Sequence, residues 1–310
     1  MDPTIPADRY LLSGASGMLG TALSASLSAK GAAVLQLVRR PPEVPNQFQW
    51  TPSSGKELAH SEVFEGLAAA IHLSGANLAD RRWNENYKRE ILESRVGTTR
   101  ALATSLAKLS RRPKMLIVAS AVGIYGNRGS ELLDETSPPG KGFMADVCSQ
   151  WEAATEPAER AGIRVLHLRL GMVLGRDQGA LAHLLPFFRY GLVAKIGNGR
   201  QYISWISLPD MVSATLFLLE KADASGAYNF TAPNPVTNAQ FTCLLAAQLH
   251  RPAFLAVPAF AARLAFGEMA KEALLSSTRA YPARLAAAGY QFEHPSLVHA
   301  LPALLSPLLK

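Results

Sequence analysis

Three glycines, Gly14, Gly17 and Gly20, constrain this chain more than any other feature. They follow a short apolar strand, Arg9 to Ser13, and precede a helical pattern over Thr21–Lys30 in which Ala22, Leu23, Ala25 and Leu27 are apolar. In a strand–turn–helix unit the first glycine permits the tight turn. The second lets the backbone approach a pyrophosphate, and the third lets the new helix pack close to the sheet. The phosphate then rests on the helix N-terminus, where unpaired N–H groups and the helix dipole favour negative charge. Gly14, Ser16, Gly17, Met18, Leu19 and Gly20 are therefore candidate cofactor contacts. A glycine-rich structural turn is the competing reading. The second strand at Ala33–Val38, at the right distance, favours the dinucleotide site.

The rest of the chain supplies what such a turn needs. Further apolar strands are expected at Ala69–Gly75, Met115–Ser120 and Arg164–Arg169, with a possible edge strand at Phe48-Gln49-Trp50. Helical patterns cover Asn84–Leu109 and about Phe143–Ala161. Residues 1–8 read as a short tail and 43–66 as a loop. Alternating strands and helices predict an α/β fold, a Rossmann-type doubly wound parallel sheet. With 48% hydrophobic and 18% charged residues, a sizeable core is available. Beyond about residue 170, Pro and Gly become frequent and the segments shorten. We divide the chain into a dinucleotide-binding domain, 1–170, and a smaller lobe, 171–310, placed to shape a substrate site.

The end of the second strand speaks to which dinucleotide. NAD sites usually carry a carboxylate there for the ribose 2′-hydroxyl. This chain has Val38-Arg39-Arg40. A guanidinium pairs with a 2′-phosphate, so NADP(H) is the expected cofactor, the alternative being two solvated charges at a strand end. The net charge of +7 is spread along the chain. It suits a small anionic substrate and forms no nucleic-acid surface. No membrane span is visible, so no membrane partner is expected. Two distant cysteines, Cys148 and Cys243, without a secretory signal, indicate reduced thiols in the cytoplasm. The histidines are scattered, and no metal site is expected.

These motifs, with Leu73-Ser74-Gly75, Ser120–Gly126 and Gly197…Trp205-Ile206…Asp210, resemble the extended short-chain dehydrogenases/reductases. More narrowly the chain is similar to their atypical branch, the nucleoside-diphosphate-sugar epimerase family proteins. Arg82-Trp83, Ser94-Arg95, Trp151-Glu152, Leu168–Gly175, Gly199-Arg200-Gln201 and Thr231–Asn238 carry that closer match. Arg251-Pro252 and Gly267-Glu268 resemble the branch's C-terminal domain of unknown function. The resemblance implies an NADP-binding Rossmann domain. It implies cofactor contacts at Val38 and Arg39, at Leu73 and Ser74, and at Glu90 and Arg95; Arg40, Gly75, Ser120 and Met172 are further candidate cofactor contacts. Arg82, Trp83, Arg200, Gln201 and Trp205 are candidates for lining an anionic substrate's site; the tryptophans read equally well as packing residues.

The catalytic pattern departs from that family. Its members normally use a Ser or Thr after the fifth strand and a Tyr-x-x-x-Lys pair on the next helix, where the Lys lowers the phenol's pKa. Here Ala121 stands four residues before Tyr125, and Ser120 one earlier. Met144 and Cys148 fall in the Tyr and Lys positions; a shift by one gives Phe143 and Val147. Ser120 and Tyr125 remain as candidate catalytic groups, Tyr125 equally as a packing aromatic. The expected function is an NADP(H)-dependent epimerase-like or oxidoreductase-like protein acting on a nucleotide sugar or other small carbonyl or alcohol. The alternative is a non-catalytic NADP(H)-binding sensor or scaffold.

Overall fold

Strand β1 (Arg9–Ser13) is central because Leu11 and Leu12 are both buried, one on each face of the sheet. In the computed structural model, which describes residues 8–52, 58–59, 61–190 and 193–306, β1 lies between β2 (Ala33–Val38) and β4 (Ala69–His72). Outside β2 runs β3 (Gln47–Gln49). Beyond β4 run β5 (Met115–Ala121), β6 (Arg164–Leu170) and β7 (Gly226–Phe230). The order is β7-β6-β5-β4-β1-β2-β3, parallel throughout. The order reverses at β1, which opens a crevice between the carboxyl ends of β1 and β4, the position where such sheets bind ligands. Except for Asp8, the expected N-terminal tail lies outside the described residues.

Both faces of the sheet are covered. On one side, α1 (Met18–Ala29) and α7 (Leu208–Glu220) bury Leu23, Leu27, Met211 and Leu218 against Leu12, Ile71, Ile117 and Leu168. On the other, Leu102, Leu106, Trp151 and Ala158 pack over Leu11, Leu116 and Val118. Those four come from α3 (Val96–Ala107), α4 (Phe143–Ala153) and α5 (Glu156–Arg160). The last sheet strand, β7, comes from beyond residue 171, so the sheet draws on both halves of the chain. A separate cluster joins α6 (Gly179–Arg189), α8 (Asn238–Gln248) and α11 (Leu297–Leu305) around Trp205. Two further short helices, α9 (Ala259–Phe266) and α10 (Ala283–Ala287), complete the C-terminal segment.

Two expected helices are broken, each for a local reason. The pattern over Asn84–Leu109 divides into α2 (Glu85–Glu93) and α3 at Ser94-Arg95. Asn84 caps α2 by accepting from the Tyr87 N–H. At its far end, Ser94 Oγ donates to Ile91 O and Arg95 curls back to donate to the same carbonyl. Side chains thus compete for the backbone acceptors that a continuous helix would use. The pattern over 143–161 stops at Ala153. Thr155 Oγ1 donates to Glu152 O, and Pro157 has no N–H to carry the helix on.

Candidate functional site

The glycine turn separates the roles of its three glycines. Gly14 has φ +72°, and a Cβ there would sit 2.8 Å from the Leu73 carbonyl carbon. A Cβ at Gly20 would sit 2.2 Å from Gly14 O. Gly17 is exposed, and its nearest neighbour would be Gly14 O at 3.5 Å. Two of the glycines therefore serve packing within the chain, and the third keeps open space beside it. Gly17 is also the N-cap of α1, with no side-chain cap and no acidic residue in the first turn. An uncapped helix start with open space above it fits a phosphate group. Ser16 is exposed beside it, and Leu19 is half-buried. The Met18 side chain packs against the loop at Gly175 and Gly179. Half-buried Met172 sits on a short strand paired with Trp205.

At the end of β2, Val38 O accepts from Trp50 N. Arg39 and Arg40 are exposed. Arg40 pairs with Glu43 at 3.1 Å, whereas no carboxylate among the described residues pairs with Arg39. Of the two, Arg39 is the one without an ion pair among the described residues.

Past β4, Leu73 N donates to Ser13 O, and Ser74 and Gly75 continue the crevice edge. Gly75 abuts Arg95, whose Cζ would lie 3.2 Å from an added Cβ. Arg95 is buried; it donates to Ile91 O and Ala76 O and stacks over Trp151 at 5.2 Å. Its Nε has no partner, and no carboxylate among the described residues balances its charge. Burial lowers its pKa, with Cys148 and Tyr87 opposing. A buried guanidinium without a counter-charge is costly, and an anion in the crevice would supply one. Glu90, by contrast, is exposed and lies 3.6 Å from Arg81.

His72, under the same edge, joins three elements. Its Nε2 lies 3.1 Å from Thr98 Oγ1, and that hydroxyl already donates to Ser94 O. Nε2 therefore carries the proton, and Nδ1 accepts from Ser13 Oγ at 2.5 Å. Burial pushes its pKa down to about 4.

The candidate catalytic groups are placed otherwise than expected. Tyr125 is wholly buried; its hydroxyl donates to Asn229 Oδ1 at 2.7 Å and accepts from Arg169 Nη1 at 3.0 Å. Burial raises its pKa, so it is no base near neutral pH. Ser120, also buried, donates to Glu152 Oε1 at 2.7 Å. Arg169 holds the same carboxylate with two bonds of 2.9 Å, from Nε and Nη2. Burial works to raise the pKa of Glu152, but the bonds from Arg169 and Ser120 hold it below the usual carboxylate range. Ser120, Glu152, Arg169, Tyr125 and Asn229 thus form one satisfied chain locking β5, α4, β6 and β7 together. An arginine inside the apolar strand Arg164–Leu170, paired with a glutamate on a helix, was the signal for it.

The relay positions carry no relay. Cys148 is wholly buried with Met144, Ile124 and Leu133, and burial pushes its thiol up to about 12. Asp146 stays on the exposed face of α4. The carboxylate that reaches the start of α4 is Glu272, from a π-helical turn, Ala270–Leu274. Its Oε2 accepts from Met144 N at 3.3 Å and lies beside Gly142.

Of the expected substrate residues, Trp205 is wholly buried, its Nε1 donating to Asn234 O. Trp83 is buried against Phe143, and its Nε1 donates to Leu78 O. Both are packing residues, because burial leaves them no face for a ligand. Arg82 and Arg200 are exposed. Gln201 is buried and donates to Ile196 O and Leu274 O, shaping a cleft of about 410 Å³ that Arg200 and Arg263 also line. No cluster among the described residues has the makeup of a metal site, and no described helix is long and apolar enough to cross a membrane.

A parallel sheet reversing order at β1, with an open glycine turn on a helix N-terminus at that point, defines a Rossmann-type nucleotide-binding protein. Residues 10–230 match the NAD dependent epimerase/dehydratase family, and residues 257–304 match a domain of unknown function, DUF1731. The chain belongs to that epimerase/dehydratase family. It is 44% identical over 290 residues to an epimerase family protein of Mycobacterium leprae, covering 94% of this chain and 93% of that one. The human epimerase family protein SDR39U1 is 36% identical over 297 residues, 94% and 98% of the two chains. A crystal structure of the human SDR39U1 protein with NADPH superposes with a TM-score of 0.88 at 34% identity, over 96% of this chain and 99% of that one. A nucleoside-diphosphate sugar epimerase from Corynebacterium glutamicum gives 0.80 at 34% identity, over 96% of this chain and 58% of that one.

Proposed function

We propose that the protein binds NADP(H) and acts as an oxidoreductase-type or epimerase-like enzyme on a small anionic carbonyl or alcohol, a nucleotide sugar being one such compound. The observation that carries the reading is the open, uncapped start of α1 at Gly17. Arg39, which pairs with no carboxylate among the described residues, supports the phosphorylated cofactor over NAD, as does the NADPH bound by the human relative. In this reading Gly14, Gly17 and Gly20 shape the pyrophosphate cradle, and Arg39 takes the 2′-phosphate. Arg95 offers charge at the crevice edge, and Arg82 and Arg200 receive the substrate's negative groups. Hydride transfer is the chemistry the cofactor supplies when bound. With Met144 and Cys148 in the relay positions, Glu272 at the start of α4 is the carboxylate we assign to proton transfer with the substrate. Two unpaired thiols, Cys148 and Cys243, support a reducing, cytoplasmic setting.

Calorimetric titration with NADPH and NADH tests the cofactor. NADPH should bind more tightly, and Arg39→Asp should reverse the order, by about tenfold or more. An unchanged order would remove Arg39 from the site. NADPH oxidation across a panel of nucleotide sugars and simple carbonyls tests the reaction. Glu272→Gln should slow turnover by about a hundredfold without weakening NADPH. One observation favours a second reading, a non-catalytic NADP(H) sensor: both relay positions are buried and apolar. Tight NADPH binding with no turnover on any compound would decide for it.

A further inference from the structure

The C-terminal lobe carries exposed apolar groups and cations that, Arg200 and the neighbouring Arg263 apart, lie outside the proposed cofactor and substrate contacts. Residues 178–209 and 224–267 contain no Asp or Glu, yet they hold Arg189, Lys195, Arg200, Arg251 and Arg263. On the same lobe Phe187, Tyr190, Phe254, Phe260 and Leu264 are between 59% and 85% exposed. The strand pairing brings the two stretches together. A strand at Ala194–Ile196 pairs in parallel with Leu255–Val257, Leu255 opposite Ala194. Phe254 therefore stands just before this pair, at the end where α6 delivers Tyr190. The pair is only about 10 Å long, and α9 begins directly after Pro258. Phe260 and Leu264, four residues apart on α9, share one face, and Ala262 is the buried residue of that helix. Arg189, Arg251 and Arg263 are exposed among them, and none forms an ion pair with a described residue.

Exposed large apolar side chains gathered on one strand pair and the helix that follows it point to an interaction surface, and charge selects its occupant. A second copy placed by a two-fold axis would set these arginines against themselves, with no carboxylate in either stretch to relieve them. Residues 251–258 are exposed without exception, so they stand out as a ridge. A protein partner would have to bury such anchors in fitted pockets. A bilayer takes protruding apolar side chains without shape complementarity, and its anionic headgroups attract the surrounding cations. We propose that this face docks on an anionic lipid surface, Phe254, Phe260 and Leu264 entering the headgroup region and Arg189 and Arg251 meeting lipid phosphates. The expectation of no membrane partner rested on the lack of a spanning segment, which a surface contact does not need.

The test is flotation of the full chain with phosphatidylcholine vesicles and with mixed phosphatidylcholine–phosphatidylglycerol vesicles, at low and high salt. Binding should be about tenfold stronger or more on the anionic vesicles, and salt should weaken it. Phe260→Ser with Leu264→Ser should lower partitioning about tenfold, and Arg189→Gln with Arg251→Gln about twentyfold. Unchanged melting temperatures show that these surface variants remain folded. Equal binding to both vesicle types, binding to neither, or full binding by the variants would overturn the proposal. So would dimerisation that is lost in Phe260→Ser/Leu264→Ser while vesicles are ignored, which gives the face to a second copy.

Discussion

Gly17 and Gly20 are three residues apart and differ in what a side chain would meet. At Gly20 a Cβ strikes the Gly14 carbonyl, 2.2 Å away, and neither backbone has room to give. Gly20→Ala should therefore destabilise the fold by about 3 kcal/mol, read as a shifted denaturant midpoint. Gly17→Val points into open space at an extended N-cap, so it should leave stability within about 0.5 kcal/mol. It should still weaken NADPH by about 2 kcal/mol, because the phosphate loses its approach to the backbone. Undiminished NADPH binding by Gly17→Val would sink the cradle assignment. His72 makes a second prediction at this scale. Its folded pKa, about 4, lies below its ordinary 6.5. Between those values the unfolded chain binds the extra proton, so stability is full above about pH 6.5 and falls as the pH drops toward 4. The loss amounts to about 3 kcal/mol. Urea titrations at several pH values should show this decline, and His72→Gln should flatten it. Some slope should remain, because burial also lowers the pKa of His167. A variant as steep as the parent would show that another group carries the effect.

At the scale of the element, α4 explains how a nucleotide fold keeps its shape without the usual proton pair. Its inner face is Met144, Val147, Cys148 and Trp151, and the only carboxylate it turns inward, Glu152, is taken by Arg169 and Ser120. Cys148 follows as a packing residue. Alkylation with iodoacetamide under native conditions should label exposed Cys243 and spare Cys148, whose thiol burial pushes up to about 12. Mass spectrometry of the labelled chain reads this directly, and both cysteines should label in denaturant. Native labelling of Cys148 would mean that α4 opens to solvent. The same element shows where periodicity misleads. The apolar spacing over 143–161 is real on both sides of Thr155, but Pro157 ends one helix and begins another. Spacing reports which face is buried; it does not report whether the backbone is continuous.

At the scale of the whole molecule, the C-terminal segment is tied to the sheet through Asp210 on α7. This buried carboxylate accepts from Ser207 Oγ, Tyr290 OH, Glu293 N and His294 N, at 2.8 to 3.0 Å. Asp210→Ala strands those donors and should destabilise the protein by about 3 kcal/mol or more. Hydrogen exchange should show residues 289–296 losing protection first; uniform loss would mean that the tie is not local. β7 makes the same point, since it leaves the smaller lobe to become the last strand of the main sheet. Much of this was legible beforehand. The strand starts at Arg9, Ala33, Ala69, Met115 and Arg164 follow from apolar runs, and the tight turn before α1 follows from three glycines, because both are local in the chain. The roles of Ser120 and Tyr125 were not legible. Their partners Glu152, Arg169 and Asn229 lie 32, 44 and 104 residues away, and no local pattern reports such a contact. By itself, then, the sequence determined the fold class and the tight glycine turn at the start of α1, since each depends on steric and periodic rules acting over a few residues. Only the tertiary structure decided which polar groups stay free for chemistry, because a side chain's freedom depends on what distant segments place beside it.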